Sequence, residues 1–186
     1  VRKIILSMLV SLDGFVARPD GDLDWADANE EHHEYANALI ESVDLALFGR
    51  VTYQIFADYW PTAPDSPETP AWEVEYAHRV NRTPKIVYST TLENVAWETR
   101  IAREVDPAAV VALKQQPGKD ILIYASANLT ATFMRLGLID EYQLLVQPVV
   151  LGSGIPLFKE GIALTLKLTG TRTFGTGAVL LTYQSA

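Results

Sequence analysis

Short apolar runs over residues 2–11, 44–48, 85–89, 121–125 and 142–151 alternate with stretches of helical period over 29–41, 51–59, 71–82 and 126–136. Parallel strands cannot be joined by a tight turn, so such a chain must lay its strands side by side and carry its helices over the sheet faces. That predicts an α/β fold. In the last helical stretch Leu129, Phe133 and Leu136 recur at i, i+4 and i+7. Ser126 stands where an N-cap belongs, and Gly137 follows the end.

The tail departs from this alternation. Leu164–Phe174 alternates apolar residues with Thr and Lys, Gly175-Thr176-Gly177 interrupts, and Ala178–Tyr183 resumes, as in an antiparallel hairpin. The sheet is therefore expected to be mixed, with its antiparallel strands at one edge. Pro61–Pro70 carries four prolines and is expected as a surface loop, because its two flanks are too small to fold alone. With 186 residues against roughly 150 for a typical domain, residues 1–186 are expected to form one domain.

Charge and cysteine content exclude several functions. The formal charge of −8 leaves no clustered Lys/Arg excess with which to neutralise phosphates, so no nucleic-acid partner is expected. The chain has no cysteine, which rules out disulfides, thiolate zinc sites, iron–sulfur clusters and thiol nucleophiles. Arg2-Lys3 before Ile4–Val10 resembles a short secretory leader, but Ser11-Leu12-Asp13-Gly14 stands where a cleavage site should lie, and a buried first strand is expected. No apolar stretch approaches the roughly 20 residues of a membrane span. A cytoplasmic protein without a membrane partner is the expectation.

Two strand-to-helix junctions carry the chemistry. In Leu45-Ala46-Leu47-Phe48-Gly49-Arg50-Val51-Thr52-Tyr53 a buried strand runs through glycine into a helix. The helix start offers unpaired N–H groups, Gly49 lets a phosphate approach the backbone, Arg50 adds a fork of donors, and Thr52 adds a hydroxyl. The same residues also suit a tight turn and a solvated helix start. Leu122-Ile123-Tyr124-Ala125-Ser126-Ala127-Asn128-Leu129 repeats the pattern with small residues at the turn. Two such junctions at the carboxyl ends of strands in one sheet form the crevice where open α/β folds bind ligands; a pair of ordinary helix caps would read the same way. Neither a P-loop nor a Rossmann glycine pattern is present.

Other candidates are weaker. Asp20, Asp22, Asp24 and Glu31 have calcium-loop spacing, but Trp25 occupies the position that needs glycine. A carboxylate such as Asp13 or Asp24, held beside Trp25, could bond the N–H groups of a nitrogen heterocycle, with a raised pKa if buried. Glu31-His32-His33-Glu34 lacks a metal-binding spacing and reads as a solvated helix face, and His78 stands alone. No metal is expected. No G-x-S-x-G elbow supplies a nucleophile, which suggests that a bound cofactor brings the chemistry. Pro148 belongs on an edge strand or at a bulge, and the apolar strand before it is expected to meet another chain.

Several segments, in this order, resemble the dihydrofolate reductase superfamily: Ser11-Leu12-Asp13-Gly14-Phe15-Val16-Ala17, Gly49-Arg50-Val51-Thr52-Tyr53, Val87-Tyr88-Ser89-Thr90-Thr91-Leu92, and Leu138-Ile139-Asp140-Glu141 through Pro148-Val149-Val150-Leu151-Gly152-Ser153-Gly154-Ile155-Pro156-Leu157-Phe158. The resemblance is specifically to the C-terminal reductase domain of the bifunctional riboflavin-biosynthesis enzyme and its stand-alone bacterial relatives. It implies a three-layer fold, with a mixed, mostly parallel sheet, helices on both faces and a C-terminal antiparallel hairpin.

The resemblance also implies NADPH as cofactor. Arg50 and Thr52, at the Gly49 turn, would hold its phosphates, Ser89, Thr90 and Thr91 would line the adenosine-ribose side, and Ser126, Ala127, Asn128 and Leu129 would wrap the pyrophosphate. Val16 and Ala17 would lie by the nicotinamide. Asp13, Trp25, Phe56 and Trp60 would border the substrate pocket, with Asp13 or Asp24 as proton source. Asp140–Leu151 would make dimer contacts. The implied activity is hydride transfer to a small heterocyclic, pteridine- or pyrimidine-like, or carbonyl substrate in a homodimer; the alternative is a non-catalytic nucleotide- or ligand-binding protein with the same fold. Dihydrofolate itself is disfavoured, because folate reductases hold their substrate-binding carboxylate within the helix after the first loop, whereas the acids here cluster before it. One departure stands out: Ala125 replaces the glycine that relatives carry before the serine, which is expected to lower NADPH affinity or reshape the loop.

Overall fold

The computed structural model describes residues 1–26 and 29–186. In chain order its elements are β1 (Ile4–Ser11), β2 (Phe15–Ala17), α1 (Glu30–Ser42), β3 (Val43–Gly49), α2 (Arg50–Tyr59), α3 (Ala71–Arg82), β4 (Lys85–Tyr88), β5 (Thr99–Ala102), α4 (Pro107–Gln115), β6 (Asp120–Tyr124), α5 (Ala127–Arg135), β7 (Glu141–Gln147), β8 (Ile155–Pro156), β9 (Leu166–Thr173) and β10 (Val179–Ser185). Eight strands form one sheet in the order β5-β4-β3-β6-β1-β7-β10-β9. The first six run parallel, and β10 and β9 close one edge antiparallel. The mixed sheet and its edge hairpin match the sequence expectation. β2 pairs with β8 in a small separate ribbon.

Residue alternation along the strands separates two cores. Leu6, Leu47, Ile121 and Ile123 point to the face covered by Val110 and Leu113 of α4 and Leu129 and Phe133 of α5. The neighbouring Ile5 and Leu122 meet Leu39 and Ile40 of α1 and Tyr76 and Val80 of α3 on the other face. Ala46, Phe48 and Val87 receive Tyr53 of α2 on that face. Strands covered on both sides need an unbroken apolar run, which Leu45-Ala46-Leu47-Phe48 supplies. The result is three layers. Adjacent strands β3 and β6 send their following helices, α2 and α5, to opposite faces, which opens a crevice between them.

Three features differ from expectation. β5 and α4 lie between the expected strands over 85–89 and 121–125, where the sequence predicts no element. β5 is only four residues long and half polar, although Asp106 caps Ala108 N–H of α4 and Pro107 takes its first turn, a standard helix start. The expected strand over 142–151 ends at Gln147, since Pro148 has no N–H to continue the ladder. β7 lies between β1 and β10 inside the sheet, and its Leu144 and Leu145 are buried within the chain. Its neighbours in the sheet and the core cover those two side chains. Among the described residues no helix is long and apolar enough to cross a membrane.

Candidate cofactor cleft

At the carboxyl end of β3, Gly49 is the N-cap of α2, with no side chain capping the helix. At the carboxyl end of β6, Ala125 and Ser126 both take left-handed backbone angles, φ 40° and 67°, and Ser126 becomes the N-cap of α5. Ser126 does not cap in the expected way. Its Oγ accepts the Gly49 N–H at 2.9 Å and donates to Thr52 Oγ1 at 2.8 Å, so one side chain fastens the two junctions together.

This changes the role of Gly49. A Cβ there would sit 2.9 Å from Ser126 Oγ and 3.0 Å from its Cβ. The absent side chain at Gly49, expected to let a phosphate approach the backbone, instead makes room for Ser126, and the Gly49 N–H is used by the Ser126 hydroxyl. Because Ser126 is turned away from α5, neither helix start has a side-chain cap. The first-turn N–H groups of both helices lack intrahelical partners, and each terminus carries about half a positive charge.

Both helix starts border a cleft of about 710 Å³, within the usual range for cofactor and small-molecule sites. Val16, Ala17, Gly49, Arg50, Thr52, Ser89, Thr90, Thr91, Ala125, Ser126, Ala127, Asn128 and Leu129 all line it. Arg50 Nη1 donates to Gln54 Oε1 at 3.0 Å along the exposed side of α2. Ser89 is buried, and its Oγ accepts the N–H groups of Thr91 at 3.2 Å and Leu92 at 3.0 Å, so it shapes the turn while Thr90 and Thr91 stay exposed. Val16 and Ala17 are held by the β2–β8 ribbon. A Cβ on Gly154 would run into the Ala17 carbonyl oxygen.

Sequence reasoning missed Arg103, which lines the same cleft. Its Nη1 donates to the Ser89 carbonyl at 3.1 Å and the Leu92 carbonyl at 2.5 Å, bracing a guanidinium against the turn. The signal for it was the Asp106-Pro107 helix start, which puts Arg103 just past a strand's carboxyl end. Leu23, Val51 and Ile55 were also missed as cleft-lining residues.

The residues expected to border the substrate pocket are not among those lining this cleft. Asp13 is exposed, and its carboxylate accepts Ser11 Oγ at 2.6 Å, Leu151 N–H at 3.1 Å and Gly152 N–H at 2.7 Å. The Ser11 hydroxyl, and then the Gly152 and Leu151 amides, hold its pKa below the ordinary 3.8, opposite to the raised value expected for a buried acid. Asp24 pairs with Arg18 at 2.6 Å in solvent. Neither lines the cleft, nor does Trp25, which is half-buried. Phe56 and Trp60 instead pack in an aromatic cluster against Tyr124 and Tyr76, at 5.2 and 4.7 Å between ring centroids. Tyr76 and Tyr124 share a 2.7 Å hydroxyl contact there, and burial pushes both phenols up. His33, expected in solvent, packs against Trp72 of α3 with the rings tilted, 4.1 Å between centroids.

Residues 2–180 match the family model described as RibD C-terminal domain. The chain is 37% identical over 188 residues to YyaP of Bacillus subtilis, an alignment covering 98% of this chain and 95% of that one. A solved structure of a putative riboflavin biosynthesis protein from Shewanella sp. PV-4 superposes with a TM-score of 0.75 at 22% identity, over 99% of each chain. Dihydrofolate reductase from Enterococcus faecalis, solved in complex with NADP(H), gives 0.64 at 11% identity, over 98% of this chain and 96% of that one. The fold is dihydrofolate reductase-like.

Proposed function

The chain belongs to the RibD C-terminal domain family, a reductase-type domain, and on that premise we propose that its cleft binds NADPH and reduces a small heterocyclic or carbonyl substrate. The observation that carries this reading is the pair of uncapped helix starts, clasped by Ser126 and opening into one cleft with Arg50 and Arg103. A dinucleotide has two separated anionic groups. The convergent helix starts with Arg50 suit the pyrophosphate, and the Arg103-braced turn with Thr90 and Thr91 suits a phosphorylated ribose.

Bound NADPH would supply a hydride, two electrons and a hydrogen nucleus, to an electrophilic carbon of the substrate, leaving as NADP⁺. The residues of the chain position and exclude. Val16 and Ala17, held by the β2–β8 ribbon, would offer apolar side chains beside the nicotinamide. Glu104 is the one carboxylate among the described lining residues, and it lies beside Arg103. The proton that completes the reduction is therefore assigned to water entering the open cleft.

Titration with NADPH and NADH, followed by tryptophan fluorescence, tests the reading. NADPH is expected to saturate. Arg50→Ala and Arg103→Ala should each weaken it about tenfold or more, because a charged hydrogen bond is worth about 1.5–3 kcal/mol. Arg103→Ala should leave the NADH titration much less changed. No saturation by NADPH up to about 1 mM, near −4 kcal/mol, would refute the cofactor assignment.

A further inference from the structure

We propose that the substrate end of the cleft takes an uncharged, apolar ring compound and turns phosphorylated substrates away, an inference that rests on the cofactor reading above. Val51 and Ile55 follow at i and i+4 on the outer side of α2 and are 58% and 57% exposed. The inner side of the same helix buries Tyr53 in the core, so a polar outer face would be the ordinary composition. Leu23, 47% exposed on the loop after β2, lines the same cleft. Three aliphatic side chains left in solvent and gathered around one cleft form a surface that an apolar ligand would cover favourably.

Charge points the same way. The cations lining the cleft are Arg50 and Arg103, and the dinucleotide uses both. Arg103 is further committed to the Ser89 and Leu92 carbonyls. The loop that carries Leu23 presents exposed Asp20, Asp22 and Asp24 against the single guanidinium of Arg18, which Asp24 already pairs at 2.6 Å. This rim repels a phosphate dianion and leaves a neutral ring unaffected. It also gives a role to the acidic segment. Asp20 and Asp22 accept the N–H groups of Asp22 and Asp24, each at 3.1 Å, which holds these carboxylates on the loop whose Gly21 and Leu23 line the cleft.

The test is calorimetric binding to protein saturated with NADP⁺, so that no turnover occurs. The probes are 2-acetylnaphthalene, 2-naphthyl phosphate with the same ring and a dianion, and ribose 5-phosphate. The ketone is expected to bind saturably with a Kd at least tenfold below that of either phosphate. Ile55→Lys, an exposed change to a good helix former, should weaken the ketone and narrow that ratio. Either phosphate binding as tightly as the ketone, or a ketone that does not bind up to its solubility, would overturn the proposal. Failure of NADPH to saturate in the preceding titration would instead bring down the cofactor reading, and the proposal with it.

Discussion

Replacing Gly49 by alanine isolates the clasp between the two junctions. The backbone of Gly49, φ −81° and ψ 162°, suits any residue, so the substitution carries no dihedral penalty. Its cost comes from the new Cβ, 2.9 Å from Ser126 Oγ and 3.0 Å from Ser126 Cβ, while the next neighbour, Leu129 Cβ at 3.7 Å, is in ordinary contact. Ser126 can withdraw only by giving up its bonds to Gly49 N–H and Thr52 Oγ1. Overpacking of this kind costs about 1–3 kcal/mol, and for a chain of this size each kcal/mol lowers Tm by roughly 2–4 °C. Ser126→Gly removes both atoms in the way. It loses two hydrogen bonds worth about 1 kcal/mol each and relieves a left-handed φ of 67° worth about 1–2 kcal/mol, so alone it should cost no more than about 1 kcal/mol. In that background Gly49→Ala should cost little, giving a coupling of about 1–2 kcal/mol in a urea-unfolding double-mutant cycle. Additive effects, with Gly49→Ala equally damaging in both backgrounds, would refute the clasp.

Three further substitutions probe the scaffold. Gly154→Ala drives a methyl into the Ala17 carbonyl and against the Phe15 ring, so thermal melts should show a loss of about 1–3 kcal/mol, and NADPH should bind more weakly; an unchanged melt would contradict the geometry. Asp13 has its folded pKa below 3.8, so its stabilisation is complete above that value and is lost as pH falls through the lower folded one. Urea midpoints of wild type and Asp13→Asn should therefore differ at pH 6 and converge below pH 3.8, and a gap that stays constant would count against it. Lys85 is buried over the Trp97 ring, and burial brings its pKa from 10.5 down to about 8. The folded chain then releases this proton before the unfolded chain does, so stability rises between about pH 8 and 10.5, and the penalty is fully present below pH 8. Lys85→Met should flatten that rise, whereas equal slopes for the two proteins would show that Lys85 is not its source.

The parts legible in the sequence were those that local chemistry determines. Apolar runs buried on both faces gave β1, β3, β4 and β6, and the glycine turn gave the edge hairpin. The thirteen residues expected to hold a cofactor converge on one cleft because strand-to-helix junctions in one parallel sheet must open at the same edge. What could not be read depends on contacts between distant segments. A serine before a helix reads as a cap, and nothing near Ser126 announces that its hydroxyl crosses 77 residues of sequence to Gly49. A glycine at a helix start reads as ligand clearance when the clearance serves that serine. Asp13 reads as a free acid until the Leu151 and Gly152 amides are found on it. Ser126 and Asp13 each use the side chain to fix a loop, and the cleft is lined by helix starts, exposed aliphatics, the Thr90 and Thr91 side chains, Glu104 and two arginines. On the proposed reading, discrimination among substrate rings would rest on residues such as Val51 and Ile55, which line the cleft and carry no recognisable motif.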